Sequence, residues 1–258
     1  MTALDLAFRR IPLAHRGLHD GAAGIIENST SAFRAAVRAG YGIECDLQLS
    51  ADGQAMVFHD YQLGRLTPAD GNVSALTAAE MGRIALSGSQ DHIPTLPQVL
   101  KVVGGRVPLL VEIKDQGRAL SRTGIGPLER AVSRALEGYR GPVALMSFNP
   151  HAVAALAELV PEVPRGLTTG SFSRVEYPRT PGAELKRLRS IDDYDRTGAQ
   201  FVSHSVQELD APRLDQLRRE RGAAILCWTV RSAKVEAAAR KVVDNVTFEG
   251  YPAAIPPG

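Results

Sequence analysis

The residue types best suited to chemistry are concentrated between Leu13 and Asp60. This stretch contains two histidines, His15 and His59, and two carboxylates one residue apart, Glu44 and Asp46. All four lie at or near apolar runs that are typical of strands. Because side chains alternate along a strand, Glu44 and Asp46 are predicted to share one face. Adjacent carboxylates repel each other unless a cation neutralises them, so this spacing predicts a metal-assisted active site.

A third carboxylate, Glu112, lies near the end of the apolar run Val107–Ile113. Any one such carboxylate could simply be solvated or salt-bridged. Three of them at inward-facing strand ends, beside two histidines, favour a site for one divalent cation. Oxygen ligands alone suit Ca²⁺ or Mg²⁺, with Mn²⁺ also possible, rather than zinc or copper.

The histidines and nearby cations suggest what reaction such a site would perform. His15 and His59 are candidates for a proton-transfer pair, because imidazole can accept or donate a proton near neutral pH. Arg16 and Lys114 are adjacent to the proposed site residues and suggest a phosphate-sized anion, although they could also simply neutralise the carboxylates. Trp228 is the only tryptophan. It could form a wall of a substrate pocket, or it could be a packing residue.

The remaining histidines and the two cysteines are predicted to be structural. The cysteines lie far apart within apolar runs, which indicates buried free thiols rather than a disulfide or a soft-metal site. The residues concerned are His19, His92, His151, His204, Cys45 and Cys227.

Composition narrows the class of protein. The 258 residues suit one α/β domain, and 30 basic against 28 acidic residues leave a net charge of +2. That balance gives no electrostatic argument for nucleic acid or an anionic membrane as a partner. Met1–Arg10 lacks the apolar core of a signal peptide, and no apolar run is long enough to span a membrane. A cytoplasmic protein without stable membrane insertion is expected, and its oligomeric state is left open.

Strand-like and helix-like segments alternate along the chain. Eight of them read as parallel strands, which predicts a single (β/α)₈ TIM barrel over residues 1–258. Residues 61–92 are less regular and are interpreted as a short insertion after the second strand, and residues 252–258 as a Pro-rich tail. The predicted strands are Ile11–Ala14, Gly42–Leu49, Val107–Ile113, Pro142–Ser147, Pro164–Leu167, Gln200–Ser203, Ala223–Trp228 and Asp244–Thr247.

This arrangement would bring the candidate residues together. In such barrels the chemistry takes place at the carboxyl ends of the strands. His15 ends the first predicted strand, Glu44 and Asp46 lie late in the second, and Lys114 follows the third. Trp228 ends the seventh. The polar residues that interrupt the apolar runs are therefore predicted to converge on one rim.

Eight short motifs in this order are similar to landmarks of a known family. From about Leu13 to Pro252 the chain resembles the glycerophosphodiester phosphodiesterase family. Single motifs are weak, but eight in order are specific. They are His15-Arg16-Gly17, Glu27-Asn28-Ser29, Glu44-Cys45-Asp46, His59-Asp60, Ile93-Pro94-Thr95-Leu96, Glu112-Ile113-Lys114, Ser147-Phe148 and Trp228-Thr229-Val230.

The resemblance implies a barrel enzyme that hydrolyses glycerophosphodiesters to glycerol 3-phosphate and an alcohol. By position, it implies that His15 and His59 form the acid–base pair and that Arg16 and Lys114 bind the phosphate. Residues 61–92 match an inserted segment that lies over the site and shapes substrate choice. The residues implied as ligands of Ca²⁺ or Mg²⁺ are Glu44, Asp46 and Glu112.

Two features depart from the family pattern. Arg231 stands where the family usually has Asn after Trp-Thr-Val. The closing Asp-Gly-Ile-Ile-Thr-Asp-x-Pro segment becomes Asp244–Pro252, one residue longer and without the second Asp. These changes are expected to leave the chemistry intact and to bear on the head group of the substrate. The added arginine could favour a second anionic group.

Three alternatives compete with this interpretation. A phospholipase D-like enzyme acting on lysophospholipid or sphingomyelin would keep the chemistry and change the substrate. A catalytically silent binding barrel is disfavoured because both histidines and all three carboxylates are present. An amidohydrolase-type barrel is disfavoured because such enzymes use several histidine ligands for transition metals.

Overall fold

Eight parallel strands close into a barrel in the computed structural model, which describes residues 3–256. The first strand pairs with the last on one side and with the second on the other, which closes the ring. The predicted (β/α)₈ TIM barrel is confirmed, with one extra strand paired to the second. The strands are β1 (Leu13–Ala14), β2 (Gly42–Leu49), β3 (Ala55–Val57), β4 (Leu109–Ile113), β5 (Val143–Ser147), β6 (Arg165–Thr169), β7 (Phe201–Ser205), β8 (Ala224–Val230) and β9 (Asn245–Phe248).

The extra strand β3 returns the chain from the rim to the carboxylates. It runs antiparallel to β2 after a turn in which Gly53 has a φ of +76°, a conformation that glycine adopts at little cost. The Phe58 N–H then donates to the Asp46 carbonyl at 3.0 Å. This hairpin places His59, the next residue, beside the acidic positions of β2.

Ten α-helices surround the barrel within the described part of the chain. The short helices α1 and α8 are not among the helix-like segments predicted from the sequence. The helices are α1 (Ala7–Arg10), α2 (Thr30–Ala39), α3 (Ala78–Met81), α4 (Leu96–Val103), α5 (Pro127–Leu136), α6 (Pro150–Leu159), α7 (Gly182–Arg189), α8 (Tyr194–Thr197), α9 (Pro212–Arg221) and α10 (Ala233–Ala239).

Local capping explains where the helices nearest the site begin and end. The Ser29 hydroxyl accepts a hydrogen bond from the Ala32 N–H at 3.1 Å at the start of α2, and Gly40 ends this helix with a φ of +77°. Helix α4 begins with a capping box between Thr95 and Gln98. These caps hold the loops that precede the helices, including the one after β1.

The interior of the barrel is filled with apolar side chains below the rim. Leu13, Leu110, Phe201 and Leu226 belong to this inner cluster, and Phe8 of α1 joins them at the amino ends of the strands. The Asn245 side-chain amide holds this end by donating to the Phe8 carbonyl at 2.8 Å. A second, larger apolar layer lies between the strands and the helices.

Residues 61–92 contribute to an apolar cluster that is separate from the two barrel clusters. Leu63, Val73, Met81 and Leu86 pack together with Phe58 in this cluster. Six residues of the segment also line the cavity at the rim, and these are Tyr61, Gln62, Gly64, Arg65, Asp70 and Gly71.

The chain after β9 packs on the outside of the barrel. Residues 252–256 contain no helix or strand, and the Tyr41 hydroxyl donates to the Ala253 carbonyl at 2.7 Å. The last two residues of the predicted tail, 257 and 258, lie outside the described residues. Across residues 3–256, no helix combines the length and apolar character needed to cross a bilayer.

Candidate active site

One cavity of about 860 Å³ opens at the carboxyl ends of the strands. All eight residues selected from the sequence line it. They are His15, Arg16, Glu44, Asp46, His59, Glu112, Lys114 and Trp228. The predicted convergence on one rim is what the structure shows.

Glu44, Asp46 and Glu112 form a buried carboxylate cluster. Alternation along β2 directs Glu44 and Asp46 to the same face, and the register of β2 with β4 pairs Asp46 with Glu112. Each residue offers an oxygen within 4.8 Å of the others, and none is more than 6% exposed. The three side chains could hold one metal ion, and an all-oxygen donor set suits a hard divalent cation.

The charges around this cluster are only partly compensated. Burial, together with the charges of Asp46 and Glu112, raises the pKa of Glu44 well above its usual range. Burial acts on Asp46 in the same sense, but the Lys114 ammonium and other nearby positive charges outweigh it and hold the Asp46 pKa well below its usual range. Within residues 3–256, Glu44 accepts a hydrogen bond only from the Arg16 N–H, at 3.0 Å. The cluster therefore lacks a positive charge beside Glu44, and a bound cation would supply it.

Arg16 and Lys114 both pair with carboxylates. The Lys114 Nζ lies 2.8 Å from Asp46 Oδ1 and 2.7 Å from Glu112 Oε1. Burial opposes the charged form of Lys114, but these two carboxylates outweigh it and raise its pKa. Arg16 Nη1 lies 2.6 Å from Glu27 Oε1. Arg16 Nε also lies 3.4 Å from Asp46 Oδ2, so both cations lie within ion-pairing distance of the cluster, and phosphate binding by them stays a prediction.

A tight loop after β1 aims the Arg16 backbone at the cluster. Arg16 and Gly17 have φ values of +56° and +82°. A Cβ on Gly17 would lie 2.9 Å from the Ala32 Cβ, so both backbone conformation and space favour glycine here. The sharp turn allows the Arg16 N–H to reach Glu44.

Both predicted acid–base histidines are hydrogen-bonded to a carboxylate through Nδ1. His15 Nδ1 lies 2.5 Å from Glu249 Oε2, and His59 Nδ1 lies 2.6 Å from Asp60 Oδ1. A carboxylate accepts a hydrogen bond, so Nδ1 carries the proton and Nε2 is available for proton transfer. Burial is the main cause that lowers the pKa of both imidazoles below 6.5, and the Lys114 charge adds to it at His59.

A chain of ion pairs joins His59 to Arg16. Arg65, in the 61–92 segment, donates through Nε to Asp60 Oδ2 at 2.5 Å and through Nη2 to Glu27 Oε1 at 2.7 Å. Glu27 in turn accepts from Arg16. Glu27 and Arg65 were not selected from the sequence, although Glu27 lies in one of the eight motifs. The network ties the 61–92 segment to the loop after β1.

A sequence model of the glycerophosphoryl diester phosphodiesterase family matches residues 15–247. The chain belongs to this family. It is 29% identical to YhdW of Bacillus subtilis over 247 residues, which cover 91% of this chain and 93% of that protein.

Solved structures of similar proteins support the same fold. One is an Oleispira antarctica phosphodiesterase, solved in complex with the product sn-glycerol-3-phosphate. It is 22% identical to this chain with a TM-score of 0.74, and the match covers 93% of this chain and 92% of the Oleispira chain. A glycerophosphodiester phosphodiesterase from Thermotoga maritima is 23% identical and has a TM-score of 0.68. The match covers 92% of this chain and 94% of the Thermotoga chain. The protein described here is an enzyme of the glycerophosphoryl diester phosphodiesterase family.

Part of the cavity wall in this family member is aromatic. Trp228 donates its indole N–H to the Ser203 carbonyl at 3.0 Å, and its ring meets Phe148 edge to face at 5.3 Å. Tyr177 also lines the cavity and lies 6.3 Å from Phe148 between ring centroids. Trp228 therefore packs against Phe148 and also lines the cavity, and a role in binding substrate stays a prediction.

The segment that departs from the family pattern also reaches the site. Glu249, which was not selected from the sequence, is the carboxylate that contacts His15. Arg231 Nε donates to the other oxygen of the same carboxylate at 2.6 Å. His19 Nε2, expected to be structural, lies 3.9 Å from Glu249 Oε2. The long separation between His15 and Glu249 along the chain explains why no local pattern revealed this contact.

Proposed function

We propose that this phosphodiesterase hydrolyses glycerophosphodiesters to glycerol 3-phosphate and an alcohol. The observation that carries the proposal is the pair of imidazoles in one cavity with the carboxylate cluster. Each is hydrogen-bonded at Nδ1, and neither Nε2 makes a hydrogen bond within residues 3–256, although His15 Nε2 lies 4.0 Å from Glu44 Oε2. The product bound to the Oleispira antarctica relative supports glycerol 3-phosphate as the product here.

Glu44, Asp46 and Glu112 would hold one divalent cation, Ca²⁺ or Mg²⁺, with Mn²⁺ as a further candidate. When bound, the cation supplies positive charge that neutralises the phosphate and stabilises charge developing on its oxygens. Arg16 and Lys114, at the edge of the same cluster, would bind the phosphate through their donors.

His15 and His59 would transfer the protons. One imidazole accepts the proton of an oxygen nucleophile at Nε2 as the new P–O bond forms. The other donates a proton to the alcohol oxygen as the old P–O bond breaks, so one proton enters and one leaves the pair. Burial favours the neutral base, whereas the negative charge of a bound phosphodiester favours the protonated acid.

Two nucleophiles are compatible with this scheme, namely water and the neighbouring glycerol hydroxyl, which would give a cyclic phosphate. A substrate analogue that lacks this hydroxyl distinguishes them. Turnover of the analogue supports water, and its loss with retained binding supports the cyclic route.

The 61–92 segment and the aromatic wall would shape the choice of alcohol. Tyr61, Gln62 and Arg65 of the segment line the cavity, as do Trp228 and Tyr177. The segment is also tied to the acid–base pair through Arg65 and Asp60. Head-group preference is therefore expected to change with substitutions in this segment more than with substitutions below the rim.

The direct test is release of glycerol 3-phosphate from glycerophosphocholine and glycerophosphoethanolamine. The purified protein is treated with EDTA, and Mg²⁺, Ca²⁺ or Mn²⁺ is then added back. Release that disappears with EDTA and returns with one of the cations supports the proposal. A folded protein that releases no glycerol 3-phosphate under any of these conditions contradicts it.

The aromatic wall favours one second candidate, phospholipase D-like hydrolysis of a lysophospholipid or sphingomyelin. Phe148, Tyr177 and Trp228 offer an apolar surface that could contact an acyl chain. Turnover of micellar lysophosphatidylcholine without turnover of glycerophosphocholine would favour this substrate.

A further inference from the structure

The two departures from the family pattern contact each other beside His15. Arg231 Nε lies 2.6 Å from Glu249 Oε1, and Glu249 Oε2 lies 2.5 Å from His15 Nδ1. From the sequence, both departures were expected to bear on the head group of the substrate. The structure instead joins them into one unit with a residue of the predicted acid–base pair.

The fold places these three residues on adjacent strand ends. His15 is the first residue after β1, Glu249 the first after β9, and Arg231 the first after β8. Strand β9 lies between the other two strands. The His15 N–H donates to the Phe248 carbonyl at 2.9 Å, and the Glu249 N–H donates to the Val230 carbonyl at 3.0 Å. The backbone thus holds Glu249 between its two side-chain partners.

The same kind of unit surrounds His59. Asp60 contacts His59 Nδ1 through one oxygen and is held by Arg65 Nε at 2.5 Å through the other. Both imidazoles therefore have a carboxylate at Nδ1, and an arginine holds each carboxylate. The arginines come from different parts of the chain, so the likeness lies in geometry rather than in sequence.

We infer that Glu249 is a positioning residue for His15 and that Arg231 holds Glu249 in place for this task. This inference rests on the proposed role of His15 in proton transfer. The Glu249 carboxylate accepts the Nδ1–H hydrogen bond, which fixes the tautomer and the ring orientation and leaves the Nε2 lone pair in the cavity. Arg231 occupies the second oxygen and so restricts rotation of the carboxylate.

Two roles of Arg231 can be distinguished, namely holding Glu249 and binding a second anionic group of the substrate. The Arg231 Nε is engaged by Glu249, although the side chain is 64% exposed at the mouth of the cavity. A role in binding a second anionic group predicts an effect on KM for anionic head groups. A holding role predicts an effect on kcat for every head group.

Kinetics with glycerophosphocholine separate these roles. We expect Glu249→Ala to lower kcat by roughly 100-fold with KM changed by less than about threefold, and Glu249→Asp to recover part of the loss. Arg231→Met should lower kcat by about tenfold in the wild-type background and have no further effect in the Glu249→Ala background. Asp195→Asn, which removes the partner of Arg221 in a surface ion pair, is the matched control and should leave kcat unchanged.

A second measurement needs neither substrate nor metal. Long-range ¹H–¹⁵N spectra of the histidine rings report which nitrogen carries the proton, and His15→Asn assigns the His15 signals. In the wild-type protein His15 should be protonated at Nδ1, and in Glu249→Ala it should populate both tautomers. Because Arg231 and Glu249 are partly exposed, thermal melting of each variant should show that the fold is retained.

Three outcomes would overturn the inference. They are a kcat of Glu249→Ala within about twofold of wild type, an unchanged tautomer in that variant, or an Arg231→Met effect confined to KM for anionic head groups. If the wild-type protein releases no glycerol 3-phosphate but His15 loses its tautomer preference in Glu249→Ala, the proposed function fails, whereas the orientation of the His15 ring by Glu249 is retained as a structural finding.

Discussion

Replacing Glu44 with Gln should stabilise the metal-free protein and remove most of its stabilisation by a divalent cation. Glu44 is 2% exposed, and the charges of Asp46 and Glu112 oppose its ionisation. Its hydrogen bond from the Arg16 N–H can be kept by the amide oxygen of glutamine. The substitution therefore removes a repelled charge without leaving the Arg16 N–H unpaired.

Both effects are a few kcal/mol or less. Removing a buried, repelled carboxylate is worth on the order of 1 kcal/mol in the metal-free protein. A cation at 100 times its Kd stabilises the wild type by about 2.7 kcal/mol, which corresponds to a rise in Tm of roughly 5–10 °C for a chain of this size. If the variant binds about 100-fold more weakly, the same cation contributes only about 0.4 kcal/mol, or a rise of roughly 1 °C.

Thermal unfolding in EDTA and in millimolar Ca²⁺ or Mg²⁺ measures both quantities. Glu129→Gln is the matched control, because Glu129 is also a buried carboxylate but accepts from the Gly126 N–H outside the cavity. This control should keep the full cation-induced rise in Tm. A Glu44→Gln protein that keeps this rise, or that is less stable than wild type in EDTA, would refute the reasoning.

Three further predictions concern single side chains. His59→Ala should lower kcat by about 10²–10⁴-fold with little change in KM, and steady-state kinetics with a nearly unchanged kcat would remove His59 from the mechanism. Lys114→Met should lower kcat/KM by roughly 100-fold because Asp46 and Glu112 lose their cation, whereas equal values would exclude a role in catalysis. Burial lowers the pKa of His204 from 6.5 to about 4. Between these two pH values the unfolded chain binds a proton that the folded protein does not, so the free energy of unfolding falls by about 3 kcal/mol as the pH drops from above 6.5 to below 4. Denaturant unfolding of His204→Gln should show a smaller loss, and an equal loss would contradict this.

Much of the fold and of the carboxylate cluster could be predicted from local sequence. The period of two along Gly42–Leu49 puts Glu44 and Asp46 on one face, and the alternation of strand-like and helix-like runs implies a parallel barrel. Strand ends in such a barrel meet at one rim, which is why residues far apart in the chain could be placed together. These are properties of short segments and of general topology.

Helix α1 and the ion pair between Arg65 and Glu27 depend on contacts between segments that are distant in the sequence. Helix α1 is four residues long, and it was missed because its main role is to place Phe8 under the barrel. The pairing of Arg65 with Glu27 depends on how the 61–92 segment packs against the loop after β1.

The contact between His15 and Glu249 separates what the sequence determined from what the tertiary structure decided. The sequence determined which residue types end each strand, including both histidines and the three carboxylates. It also contained Arg231 and Glu249, but as two separate departures from the family pattern, with no sign that they contact each other. These two side chains lie 234 and 216 residues from His15 along the chain. Only closure of the barrel, which pairs the last strand with the first, brings them within hydrogen-bonding distance of one another.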